Sequence, residues 1–193
     1  MKRANIIIIL VTIIIFSSLV GYAIFAAASA SMTISNRITF NSEGIFYKAT
    51  GNVFIMTTEE FNSYGGNIEN LIAGETKVVG PLSADNLDDG DESDNYWIIS
   101  EGLRFTSSDR YIVYTIEIEN RSNYDITIRL NPPAIPENLT DTIENTASEP
   151  ITLGKSVDQT YSKGTIYLIT QCKKIKNPFE FDNSFIVNID QVI

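Results

Sequence analysis

Apolar and polar residues alternate along most of the chain after residue 30, which is the pattern of β-strands with one buried face. The clearest run spans residues 111–119. It places Ile112, Tyr114, Ile116 and Ile118 on a face predicted to be buried, and Val113, Thr115, Glu117 and Glu119 on a face predicted to meet solvent. A second alternating run, residues 126–130, follows the turn-forming residues 120–123, and Pro132 ends it because proline has no N–H to give to a sheet. The two runs predict a β-hairpin.

Six further segments have the same strand-like pattern. They are residues 32–40, 45–55, 96–99, 103–105, 165–170 and 185–189. Gly51 predicts a bulge in the second of these, and Gly80-Pro81 predicts a turn. Only residues 58–64 and 138–147 are compatible with helix. So many short strands predict an all-β fold, a single antiparallel β-sandwich of the jelly-roll or immunoglobulin-like type over residues 31–193.

The first 30 residues differ from the rest of the chain. Lys2 and Arg3 precede residues 6–30, which carry no charge and end in Ala28-Ser29-Ala30. A basic start, an apolar centre and an Ala-x-Ala site are the features of a secretory signal peptide, with cleavage expected after Ala30 or after Ala28. The same stretch is long enough to cross a bilayer as a helix, so an uncleaved anchor is the alternative and would be the only membrane contact. Either way, the remainder of the chain is predicted to be exported, as a secreted or cell-surface domain.

The composition removes several classes of function. The chain has 24 acidic and 14 basic residues, a net charge of −10, no histidine and one cysteine. The acidic excess argues against a nucleic-acid partner, and the lack of histidine excludes imidazole-based catalytic triads and metal sites. The single cysteine, Cys172, is interpreted as a small residue at a strand end, with cross-linking to a partner as the alternative. No group of residues indicates catalysis, so we expect no enzymatic activity and no organic cofactor.

One acidic segment is a candidate metal site. Residues 85–94 contain six acidic residues around Gly90. Carboxylate oxygens are the ligands that Ca²⁺ prefers, and the candidate ligands are Asp85, Asp88, Asp89, Asp91 and Asp94. The segment does not match an EF-hand, because aligning Gly90 with the glycine of that motif puts Leu87 and Tyr96 at ligand positions. The alternative is an acidic loop that faces solvent, which is the usual role of a charged run.

The layout of the chain resembles a family of exported bacterial proteins. Its apolar leader ends in Gly21-Tyr22-Ala23-Ile24-Phe25-Ala26, residues 111–130 place a polar turn between two extended runs, and residues 181–187 form a closing extended run. In these respects the chain is similar to the TasA/camelysin class of biofilm-matrix proteins of Gram-positive bacteria. The resemblance implies a jelly-roll-like subunit that polymerises by giving an N-terminal strand to the next subunit. The metal-binding or protease-like properties often attributed to that family have no histidine to support them here.

Two main hypotheses for function follow. The first is a structural protein of the cell exterior that self-associates into filaments, and the second is a secreted adhesin or a glycan- or cation-binding module; a secreted enzyme has the least support. Cleavage after Ala30 would free a terminal strand that carries Ile34, Ile38 and Phe40 on one face, interrupted by the polar Asn36. Such a strand can pair within its own sheet or add to a sheet of another subunit. The sequence leaves both pairings open.

Overall fold

The computed structural model of the chain describes residues 32–42, 45–65, 68, 78–86, 96–99, 103–158, 160–175 and 180–193. The expected leader, residues 1–30, lies outside these ranges, as do residues 87–95 of the acidic segment. Within the described ranges, the helices are too short or too polar to span a bilayer.

The described residues form two β-sheets and a short α-helix, α1 (Thr58–Ser63), which confirms the predicted all-β class. The first sheet, called the β1 sheet, contains β1 (Met32–Ser42), β4 (Tyr96–Ile99), β5 (Arg104–Phe105), β7 (Ile126–Asn131), β9 (Ile151–Leu153), β11 (Glu180–Asp182) and β12 (Phe185–Gln191). The second, called the β6 sheet, contains β2 (Tyr47–Thr57), β3 (Val78–Asn86), β6 (Asp109–Asn120), β8 (Ile143–Ala147) and β10 (Ser162–Cys172).

β1 lies inside its sheet and has short partners on both edges. On one edge it runs parallel to β11 and then to β12, and these two strands keep one register with it, from Thr33 opposite Glu180 to Ser42 opposite Ile189. On the other edge it runs antiparallel to β5 and β4. β7 and β9 extend the sheet beyond β12. Four separate segments of the chain therefore hold β1 in place.

β6 is central in the other sheet, where the order is β3-β2-β6-β10-β8. It pairs antiparallel with β2 on one edge and with β10 on the other, each along nearly its whole length. β2 continues to α1 through a capping box, in which the Thr57 N–H donates to Glu60 Oε2 (2.7 Å) and the Glu60 N–H donates to Thr57 Oγ1 (3.1 Å).

One apolar cluster joins the two sheets and forms the core. It includes Ile38 and Phe40 from β1 and Tyr114 and Ile116 from β6, all almost fully buried. Burial of this many branched and aromatic side chains is the main stabilising contribution to a two-sheet fold.

The outer face of the β6 sheet is only partly exposed, which corrects the prediction for residues 111–119. Val113 and Thr115 were expected to meet solvent, but both are buried. A second apolar cluster covers this part of the sheet, and in it the ring of Phe61 from α1 stacks on Tyr111 at 4.1 Å. Alternation along one strand cannot show that a helix packs on its second face. Further along the same face, Glu117 is exposed, as predicted.

The predicted hairpin between residues 111–119 and 126–130 is wrong. β6 and β7 lie in different sheets, because the chain crosses over between them. Two residues of the expected hairpin turn are buried and bonded to distant parts of the chain instead. Asn120 donates from Nδ2 to the carbonyls of Tyr124 and Gly154 (both 2.9 Å), and Ser122 Oγ accepts from the Phe46 N–H (2.9 Å). These bonds hold the crossover.

Three smaller expectations also fail. Residues 138–147 form a short 3₁₀ turn followed by β8 rather than a helix. Gly80-Pro81 lies within β3, and because β3 is an edge strand its proline does not break the sheet. The irregularities of β2 fall between Asn52 and Phe54 opposite β3 and between Met56 and Thr57 opposite β6, not at Gly51, which pairs regularly.

Candidate assembly strand

β1 is the candidate assembly strand, and its alternate residues point into the core. Ile34, Ile38 and Phe40 are at most 4% exposed. Arg37 and Asn41 on the opposite face are exposed. In the single chain, the three apolar residues singled out from the sequence therefore fill the space between the sheets. We call the gap that β1 occupies between β4/β5 and β11/β12 the slot.

Backbone and side-chain bonds fix β1 in the slot on both edges. The Ile34 N–H donates to the Leu103 carbonyl (2.9 Å) next to β5. At the break between β11 and β12, the Arg37 N–H donates to Ser184 Oγ (2.9 Å), so the hydroxyl replaces the carbonyl that a regular strand would supply. On the solvent side, Asn41 Nδ2 donates to Asn188 Oδ1 (3.1 Å).

A buried polar cluster crosses the core beneath the middle of β1. Asn36 Nδ2 donates to Tyr114 Oη on β6 (2.9 Å) and to the Asn183 carbonyl between β11 and β12 (2.9 Å). Asn183 Nδ2 donates to Tyr114 Oη (3.2 Å) and to Thr170 Oγ1 on β10 (2.9 Å). These four residues, called the polar cluster, are all buried and connect both sheets to β1.

The polar cluster is only partly satisfied. Neither Asn36 Oδ1 nor Asn183 Oδ1 has a hydrogen-bond partner among the described residues. Burial raises the pKa of Tyr114 far above its ordinary value, although the bonds from Asn183 and Asn36 oppose the shift. The phenol therefore stays protonated and can donate as well as accept. Unpaired polar atoms in a core are costly, so this cluster contributes more to the choice of structure than to its stability.

β1 ends and β2 begins at the same end of the domain, which we call the Ser42 end. Ser42 lies opposite Ile189, near the end of β12, and Tyr47 lies opposite Asn120, the last residue of β6. Because β1 and β12 are parallel, the start of β1 lies at the other end of the domain from the end of β12.

Two exposed aromatic residues flank Arg121 at the Ser42 end. Phe46 and Tyr161 are 37% and 39% exposed. The Arg121 N–H donates to the Phe46 carbonyl (3.0 Å), and its guanidinium lies 5.5 Å from the centre of the Tyr161 ring. The Arg121 Nε also donates to Glu119 Oε1 at 2.9 Å, and Lys163 Nζ lies 3.1 Å from Glu119 Oε2. An aromatic ring and a cation presented together form a surface that can bind a polar or aromatic ligand.

The candidate metal ligands are mostly outside the described residues. Asp88, Asp89, Asp91 and Asp94 fall there, and Asp85 lies in β3, where its backbone is opposite Lys48. Within the part of the chain that the structure describes, no three acidic or cysteine side chains gather closely enough to hold a metal ion. Cys172, at the end of β10, is a free and buried thiol, and burial raises its pKa. Its position matches the interpretation as a small strand-end residue.

Asn36 is recognisable in the sequence as a polar interruption of an apolar row, whereas its partners are not. Tyr114 and Thr170 each continue an apolar row of their own strand, and Asn183 comes from a break between strands. The sequence signal for the polar cluster is a polar side chain within each of three otherwise apolar rows, at Asn36, Tyr114 and Thr170. Only the fold brings these side chains together. No protein-family model matches the chain, and no curated protein matches it.

Proposed function

We propose that the chain is an exported, non-catalytic structural protein of the cell surface or extracellular matrix, and that copies of it assemble into filaments by strand exchange. In this proposal residues 1–30 are a signal peptide, and the two sheets form a sandwich of the jelly-roll or immunoglobulin-like type. From β5 to β11 each successive strand lies in the other sheet, which supports a sandwich with crossing connections.

The observation that carries the proposal is the position of β1. It is the first described strand, it is joined to the rest of the domain only at Ser42, and its partners on β11 and β12 are 147 residues away. If β1 leaves, each of its four neighbouring strands loses the backbone hydrogen bonds on one edge. The β6 sheet keeps all of its strands. An empty slot with two unpaired edges and a floor that is apolar except at the polar cluster then accepts an identical strand from another copy.

The connection between β1 and β2 sets the geometry of exchange. Four residues, 43–46, separate the two strands, so donor and acceptor bodies adjoin at their Ser42 ends. When each copy passes its strand to the next, the contact does not close and produces a fibre, whereas reciprocal exchange between two copies produces a closed dimer. We propose the open form.

The test is electron microscopy of full chains purified after export, which are expected to begin at Ser31 or at Ser29 and to form regular fibres. Deletion of residues 31–40, or the change of Ile34 and Ile38 to Asp, is expected to abolish fibres while the remaining domain stays folded. Added peptide of residues 31–40 should then stabilise these monomers. Thr39→Asp, on the outward face of the same strand, is the control and should still form fibres.

Two results would contradict strand exchange. If the deletion and the Ile34→Asp/Ile38→Asp variant still polymerise, β1 is not the donor. If both unfold and added peptide does not rescue them, β1 belongs permanently to its own domain. Intact Met1 found only in a membrane fraction would replace secretion by anchoring.

A second candidate is an adhesin or a glycan- or cation-binding module, and the exposed Phe46 and Tyr161 beside Arg121 favour it. For the cation, millimolar Ca²⁺ is expected to raise the melting temperature, because a ligand of the folded state stabilises it. Changing Asp88, Asp89 and Asp91 to Asn should abolish the shift. A parent chain that shows no shift would leave residues 85–94 as solvent-facing surface.

A further inference from the structure

The inward-facing row of β1 contains one polar residue at a defined place. Along residues 34–40 the row is Ile34, Asn36, Ile38 and Phe40, and all four are buried. The floor of the slot is polar at the matching place, where Tyr114, Thr170 and Asn183 meet. Phe185 packs edge-on against the Tyr114 ring at 5.3 Å between centroids, so the hydroxyl is held in position.

A strand that slides along the slot by two residues keeps its faces but loses this match. Sliding in either direction places an isoleucine, Ile34 or Ile38, against the Tyr114 hydroxyl and the Asn183 carbonyl. The same slide moves the Asn36 amide into a space lined by aliphatic and aromatic side chains. Both changes leave buried polar groups without partners, which is far more costly than replacing one apolar side chain by another.

We propose that Tyr114, Thr170 and Asn183 of the polar cluster form a recognition site for β1 of a second copy, and that Asn36 is the residue that selects both this strand and its register. The proposal rests on the strand exchange put forward above. The inward row of β12, by comparison, is Phe185, Val187 and Ile189, all apolar. Such a strand would leave the Asn183 carbonyl without its donor and would remove one of the two bonds to the Tyr114 hydroxyl, so it is rejected even though its shape fits.

The register is measured by disulfide cross-links on the solvent-facing side of the slot, in full chains that also carry Cys172→Ser. Asn41 and Asn188 are in side-chain contact, so Asn41→Cys/Asn188→Cys reports the observed register. Thr39→Cys/Asn188→Cys and Asn41→Cys/Ile186→Cys report a slide of two residues in either direction. Mild oxidation followed by peptide mass spectrometry gives the yield of each.

With Asn36 in place, the observed register should dominate. Asn36→Val is expected to raise the yield of the slid cross-links by about tenfold, because the groups that opposed sliding no longer do so. Tyr114→Phe, which keeps the ring and removes the hydroxyl, should act in the same direction. Arg37→Val is the matched control, since it adds an apolar residue to the outward face of the same strand and should change nothing.

Exchange is measured separately by placing the two cysteines on different copies. A mixture of Asn41→Cys chains and Asn188→Cys chains can cross-link in the observed register only if β1 of one copy occupies the slot of another. If this mixture gives no hybrid disulfide, strand exchange is wrong, and the function proposed above falls with it. If hybrid disulfides form but the slid yields in Asn36→Val chains stay at the level of the parent, Asn36 does not select the register. Should Asn36→Val give no cross-link in any register, the Tyr114→Phe chain decides by the same criterion.

Discussion

β1 and β6 both lie inside their sheets and both contain a buried asparagine, but the rest of the molecule holds them in different ways. β6 has two long antiparallel partners, β2 and β10. β1 has four short ones, two parallel and two antiparallel, with a break opposite Arg37. Long antiparallel ladders form and open as one cooperative unit, whereas short ladders can open separately. The difference supports the proposal of strand exchange, in which β6 is the frame of the domain and β1 is the strand that leaves it.

The two buried asparagines differ in the same way. Asn120 on β6 uses both ends of its amide: Nδ2 donates to the Tyr124 and Gly154 carbonyls, and Oδ1 accepts from the Ser122 N–H at 2.9 Å. Asn36 on β1 donates from Nδ2, while its Oδ1 has no partner among the described residues. A fully bonded amide stabilises one chain path, and a half-bonded one discriminates between paths without adding much stability.

The largest expected effect comes from truncating an isoleucine in each strand. Ile116→Ala should lower the free energy of unfolding by about 2–5 kcal/mol, because β2 and β10 prevent the cavity from closing. Ile38→Ala removes the same atoms from an equally buried site, but there we expect a smaller loss of global stability and a faster hydrogen exchange of the β1 amides. Denaturant unfolding measures the loss of global stability, and hydrogen-exchange mass spectrometry measures the exchange rate of the β1 amides. If both variants lose the same free energy of unfolding and the exchange of the β1 amides is unchanged, β1 is held in the domain as firmly as β6.

Replacing the asparagines gives the next effect. Asn120→Ala should cost about 2 kcal/mol, because it leaves two carbonyls and the Ser122 N–H without their partner. Asn36→Val should cost less, about 1 kcal/mol, because it leaves the Asn183 carbonyl without its donor but also removes an unpaired acceptor from the core. Thermal unfolding of the two variants side by side is sufficient. If Asn36→Val loses more stability than Asn120→Ala, then Asn36, and not Asn120, is the main stabilising asparagine.

A glycine next to β6 provides a test of how tightly the frame is packed. A Cβ at Gly164 on β10 would lie 2.6 Å from Ile151 Cδ1 and 2.8 Å from Leu153 Cδ2. Gly164→Ala should therefore cost about 1 kcal/mol, because the terminal methyl groups of these two β9 side chains must move. Gly154→Ala is the control, because a Cβ there meets nothing within 4 Å. Similar melting temperatures for both variants would show that the Ile151 and Leu153 side chains move aside at little energetic cost.

The smallest effect is electrostatic and falls on the exposed end of β6. The hydrogen bond from Arg121 holds the pKa of Glu119 below its ordinary value, Lys163 adds to this, and partial burial opposes it. An ionised Glu119 therefore favours the folded chain above the ordinary carboxyl pKa, and this contribution disappears as the pH falls through the lowered value. Glu119→Gln should lower the melting temperature at pH 7 by less than about 2 °C, and the difference should vanish in acid. Glu117→Gln, on a half-exposed neighbour, is the control.

The sequence was sufficient for the class of fold because the class depends on local alternation. Residues 111–119 and 126–130 are strands, as their patterns predicted, and α1 lies where residues 58–64 indicated. The path between sheets was not predictable in the same way. A turn-forming segment such as 120–123 is compatible with a hairpin and with a crossover, and the choice depends on Asn120 reaching Gly154, 34 residues away. The partners of Asn36 were missed for the same reason, because Tyr114 and Asn183 meet it only across the core.

The parallel pairing of the first and last strands also sets an order of events during synthesis. β1 leaves the ribosome before every other described strand, and residues 147 positions later must follow before β11 and β12 can receive it. At typical translation rates that interval is on the order of ten seconds, which is long compared with the formation of a hairpin. β6, by contrast, emerges after β2 and needs only β10 to complete its ladders. β1 is therefore the segment that waits longest for its last partners, and during that time only β4 and β5 can pair with it, which leaves its other edge open to a chaperone or a neighbouring nascent chain.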